Sequence, residues 1–131
     1  MKLICGVASL LTGATIYLLF RSKSLLGFAM LNRIGVEPWV NRLRNCTAGV
    51  NLPEVIIFAL PGGLWALSYI LIIDSIIGKH SRSTRLFWAS VIPLLGIGSE
   101  LLQAFGILPG TFDLWDLVCY TLPYIIYLIV I

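Results

Sequence analysis

Glu100 and Gln103 lie three residues apart, and Asp113 and Asp116 repeat that spacing shortly after them. Residues three apart share a helix face, so each pair presents two polar groups in one direction. Carboxylates so arranged suit hydrogen bonding to a polar ligand, shared acid and base work, or holding Mg²⁺ against a phosphate. The intervening Gly106-Ile107-Leu108-Pro109-Gly110 predicts a tight turn that brings both pairs to one membrane surface. Glu100 and Gln103 fall in the last quarter of the apolar run from Leu86 to Phe105. An ionisable side chain there costs about 3 kcal/mol to insert into lipid, so Glu100 is expected to face other helices, protonated or paired.

A structural reading stands beside the functional one. Asp113 can cap the helix that follows and Asp116 can favour its positive end, for about 1 kcal/mol each. Glu100 and Gln103 lie deeper, where hydrogen bonding across helices or pairing with an interfacial Arg is the alternative. The candidate ligand-binding set is Glu100, Gln103, Asp113 and Asp116. Ser68, Tyr69, Ser90 and Ser99 have no His or Lys at the spacing of a nucleophile and its base. Cys5, Cys46 and Cys119 are odd in number and far apart, which suggests neither a disulfide framework nor a zinc site, so no metal and no cofactor are expected. His80 reads as a solvated residue of a basic turn, and Asp74 as a carboxylate near a helix end that reaches water at little cost. Trp39, Trp65, Trp88 and Trp115 fall near expected membrane interfaces.

The elements that must position these residues are apolar. Of 131 residues 59% are hydrophobic and 11% charged, against about 25% charged in a soluble protein. Apolar runs over about 3–20, 55–77, 86–105 and 114–131 predict an all-α integral membrane protein, a four-helix bundle forming a single transmembrane domain over 1–131. The first run ends in Tyr17-Leu18-Leu19-Phe20-Arg21 instead of small residues, so it reads as an uncleaved helix and not a signal peptide. The interfacial loop 21–53 mixes apolar and charged residues as two short amphipathic helices do, from Ser24 onward, with Pro38 in the first turn of the second. Asn45-Cys46-Thr47 matches a glycosylation sequon of low specificity. Pro61-Gly62-Gly63 predicts a kink or a fresh helix start.

The nine Lys and Arg residues fall almost entirely between the apolar runs, the pattern of interface anchoring and not of nucleic-acid binding. Lys2, Lys79, Arg82 and Arg85 would lie on one side, and Arg21, Lys23, Arg33, Arg42 and Arg44 on the other. The two sets nearly balance; the denser turn around Arg82 favours an N-terminus inside the cytoplasm.

Gly98-Ser99-Glu100-Leu101-Leu102-Gln103 followed by Pro109-Gly110-Thr111-Phe112-Asp113-Leu114-Trp115-Asp116 resembles the VanZ-like family of small polytopic membrane proteins, named after a factor linked to teicoplanin resistance. The resemblance covers about the last third of the chain, with the family's Glu and Gln, turn glycine and two Asp falling on Glu100, Gln103, Gly110, Asp113 and Asp116. It implies a four-helix fold in a bacterial inner membrane, with the polar end outside the cytoplasm. Thr111 and Phe112 stand where the family commonly has a basic residue, Tyr120 where it has Asn, and Leu64-Trp65 in a region where it carries a polar Asp-Lys and His pattern.

Three functions follow as expectations. The first is a non-enzymatic protein that recognises an envelope lipid or polar ligand through the outward carboxylate cluster, as the resemblance suggests, with membrane lipids as its surroundings. The second is a structural or assembly subunit that docks on a membrane-protein partner or forms a homo-oligomer through small residues such as Gly6, Gly13, Gly96 and Gly98. The third is an enzyme acting on a lipid-linked phosphate, with Arg33, Arg42 or Arg44 reaching in to hold the phosphate.

Overall fold

The computed structural model describes residues 1–21 and 26–131. Among the described residues the chain is all-helical, in the order α1 (Lys2–Phe20), α2 (Leu26–Ile34), α3 (Glu37–Cys46), α4 (Glu54–Phe58), α5 (Leu60–Ile77), α6 (Arg82–Ala104) and α7 (Leu114–Val130). Lys23, and the expected start of the interfacial segment at Ser24 and Leu25, lie outside the described residues. Helices α1, α5 and α6 are long and apolar enough to cross a membrane, and α7 is a slightly shorter apolar helix of 17 residues. This is a membrane protein.

Helix α5 is the centre of the assembly. It packs against α1 on one flank and against α6 and α7 on the other, while α6 and α7 also pack on each other. The contacts fix the directions. Lys2 meets Asp74 and Tyr17 meets Trp65, so α1 and α5 are antiparallel. Ser90 meets Tyr124 across the antiparallel α6 and α7. Small residues let the backbones close up: a Cβ on Gly6 would sit 2.8 Å from Ile72, and one on Gly13 would sit 2.8 Å from the Trp65 indole. Without a hydrophobic force between helices in lipid, such close packing is a main source of association.

Prolines shape the remaining contacts. Pro61 has no N–H to give to Ile57, and the helix breaks between α4 and α5 at Ala59, upstream of the Pro61-Gly62-Gly63 kink that the sequence suggests. Pro123 likewise leaves the Cys119 carbonyl without its helical donor. Gly63 brings α5 against that carbonyl, so closely that a Cβ would lie 2.7 Å from it. Ile70, Ala89 and Tyr127 form the buried core between α5, α6 and α7.

The amphipathic α2 and α3 lie outside this cluster. Pro38 occupies the first turn of α3, Val40 is buried, and Arg44 Nη1 donates to the Leu18 carbonyl at 2.7 Å. That bond satisfies one of the carbonyls left open at the end of α1.

Replacing Gly6 or Gly13 by Leu is expected to destabilise the α1–α5 pair by about 1–3 kcal/mol, the usual cost of overpacking. Gly98→Ala, which meets nothing within 4 Å, is the neutral control. Unfolding of the purified variants in mixed micelles measures the difference.

Candidate functional site

Glu100 is carried by α6, whose start is capped by Ser81 accepting from the Thr84 N–H at 3.3 Å. Its end is closed by a Schellman turn. The Gly106 N–H donates to Gln103 O at 3.0 Å and the Ile107 N–H to Leu102 O at 2.9 Å, with Gly106 at φ +70°. Only glycine takes that left-handed conformation without a Cβ penalty. The chain then returns to α7, where Asp113 Oδ1 accepts from the Trp115 N–H at 2.8 Å as the N-cap.

Glu100 is 6% exposed, and its Oε2 accepts from the Asp113 N–H at 3.2 Å. The carboxylate thus closes the hairpin onto itself. Asp116, half-buried in the first turn of α7, lies within electrostatic reach of Glu100 and Asp113. Gln103 is placed differently. Its side-chain amide lies along Gly110, where a Cβ would come within 3.0 Å of it, and Gly110 has φ +134°. The structure therefore brings together Glu100, Asp113 and Asp116, and uses Gln103 to pack the turn that joins them.

Arg21 is a further member that the sequence pattern does not show. Its guanidinium stands 4.9 Å from the Phe58 ring centroid and 5.8 Å from that of Tyr17, and its charge bears on Asp116. Its Nε is buried and has no hydrogen-bond partner among the described residues. Tyr120, one turn beyond Asp116, lies in the same field of Glu100, Asp116 and Arg21. Its ring is wedged between Gly62 of α5 and Gly96 of α6. Among the described residues, the guanidinium that bears on this cluster is thus that of Arg21. Arg44 bonds the end of α1, and Arg42 lies over Trp39 at 5.5 Å. Three carboxyl groups, one guanidinium and one phenol make an end able to accept hydrogen bonds from hydroxyl or ammonium groups and to give one from Arg21.

The opposite end holds an ionic centre built on Asp74. The expectation that Asp74 reaches water is overturned, because this residue is 1% exposed. Lys2 Nζ donates to Oδ2 at 2.6 Å. Arg85 Nε and the Tyr127 hydroxyl donate to Oδ1, each at 2.8 Å. One carboxylate thereby joins α1, α5, α6 and α7. His80, by contrast, is exposed in the α5–α6 turn as expected.

Among the described residues, no group of three or more His, Cys, Asp or Glu side chains is arranged to hold a metal ion. Comparison with protein families, curated proteins and solved structures gave no match to this chain.

Removing the Asp74 carboxylate leaves two cations without their counter-charge. Asp74→Ala is expected to cost about 3–5 kcal/mol, the range for breaking one side of a buried ion pair. Asp113→Ala should cost about 1 kcal/mol through its cap. The same unfolding measurement in micelles checks both, and equal effects would contradict the ranking.

Proposed function

We propose that the chain is a VanZ-like, non-enzymatic protein of a bacterial inner membrane. In this reading α1, α5, α6 and α7 all span the bilayer as a four-helix bundle with the N-terminus inside. The outward end then recognises an envelope lipid or another polar ligand. The observation that carries the reading is the gathering of Glu100 and Asp113 near Asp116, on which the charge of Arg21 also bears, with the Arg21 Nε buried without a hydrogen-bond partner among the described residues. A fold needs caps at a helix start, but a cap does not need two further carboxyl groups and a guanidinium bearing on Asp116. A ligand with hydroxyl or ammonium donors and one anionic or carbonyl oxygen complements that set. Gln103, packed on Gly110, then acts by holding the turn and not by touching the ligand.

A second reading is structural, with the cluster serving the assembly of the bundle or its docking on a partner. It is favoured by one contact, the Glu100 carboxylate accepting from the Asp113 N–H. Asp116 separates the two readings because the side-chain hydrogen bonds that close the hairpin are made by Glu100 and Asp113.

Lipids that co-purify with the full chain, extracted and identified by mass spectrometry, provide the test. In the recognition reading Asp116→Asn reduces recovery of a polar lipid about tenfold, as expected for the loss of one charge-assisted hydrogen bond, while protein yield and unfolding midpoint are unchanged. Unchanged lipid recovery with a lowered midpoint supports the structural reading.

A further inference from the structure

We propose that a trough between α5 and α7 holds one acyl chain of an anionic phospholipid, whose headgroup rests on Lys2 at the Asp74 end. This site lies at the opposite end from the Glu100 cluster and stands independently of the function proposed for that cluster.

Two cavities form the trough. One, of about 110 Å³, reaches Lys2, Asp74 and Tyr127, and the other, of about 240 Å³, reaches Gly63 and Cys119. They share Leu67, Pro123 and Ile126, so they are consecutive parts of one groove. From position 63 to position 74 the groove follows α5 for about 16 Å at 1.5 Å per residue. Its far part is lined by apolar side chains such as Leu60, Leu64 and Leu122. That is the shape and chemistry of a hydrocarbon chain lying along two helices.

Charge identifies the class of lipid. Lys2 and Arg85 both pair with Asp74, which leaves one positive charge in excess. Arg85 is largely covered, at 20% side-chain exposure, whereas Lys2 is 52% exposed and lines the cavity mouth. A lysine ammonium has three donors and Asp74 takes one, so Lys2 can donate to a phosphate without leaving its carboxylate. Lys79 and Arg82 are exposed at the same end and add to the positive field. A zwitterionic headgroup brings its own cation and complements this excess less well than an anionic one.

Native mass spectrometry of the detergent-purified full chain tests the site, with phosphatidylglycerol and phosphatidylcholine of identical acyl chains as probes. Phosphatidylglycerol should bind about fivefold more tightly, the factor one basic side chain contributes near an anionic lipid. Lys2→Gln should abolish that preference and Lys2→Arg should keep it. Leu122→Trp, at a position 56% exposed, fills the trough and should weaken both lipids, whereas Leu95→Trp on the outer face of α6 should weaken neither. Equal binding of the two lipids by the unaltered protein would mean annular lipid only and would overturn the proposal. Retention of phosphatidylglycerol by Leu122→Trp at the level of Leu95→Trp would overturn it as well, because the charge alone would then be the site.

Discussion

A carboxylate in the interior of a membrane protein must be neutralised by the protein itself, since hydrocarbon supplies neither water nor counter-ions. Asp74 meets that requirement with Lys2, Arg85 and Tyr127, drawn from three different helices. Each of these bonds sets the axial register of one helix against α5, and an axial slip of one turn, about 5.4 Å, would separate the partners. The placement of the other end follows. With α6 held at Arg85 and α7 at Tyr127, Glu100 and Asp113 arrive at the same level, where one carboxylate oxygen meets one backbone N–H. The two clusters are thus opposite in character, with cations in excess around Asp74 and carboxyl groups in excess around Glu100.

Between those ends the packing uses little side-chain volume. Gly6 and Gly13 set α1 on α5, Gly63 sets α5 on the Cys119 carbonyl, and Gly62 and Gly96 hold the two sides of the Tyr120 ring. Close backbone contact is the economical solution in lipid, where burying another leucine brings little gain over leaving it in contact with acyl chains. It also explains why α5 can touch three neighbours at once.

The long helices were legible because hydropathy over some twenty residues is a cumulative signal, and the Glu100 and Asp116 region because polar residues stand out against it. Asp74 was misread. Its local context is the end of an apolar run, which suggests solvent, while the partner Lys2 is 72 residues away. The clue was long-range: Lys2, Asp74 and Arg85 each sit at an end of an apolar run, and alternating helix directions put those ends on one face. The same alternation would have brought Arg21 to Glu100. Gln103 lies on the helix face that the spacing gives it, and its packing along the Gly110 backbone is a contact that spacing alone does not show. The break at Ala59 fell upstream of Pro61 because a proline withholds its hydrogen bond from the residue four positions earlier.

The position of Asp74 and Arg85 across the short α5–α6 turn bears on how such a chain enters a bilayer. The two are only 11 residues apart, so the pair can form within a single helical hairpin, before α7 is in place. The hairpin then partitions as a unit of no net charge at that pair, and the translocating chain never carries Asp74 alone. Lys2 has no such local counterpart and must await α5, and Tyr127 is supplied by α7, which is synthesised after the other three helices of the centre. The order of synthesis therefore brings both charged partners to Asp74 before the neutral hydroxyl of Tyr127.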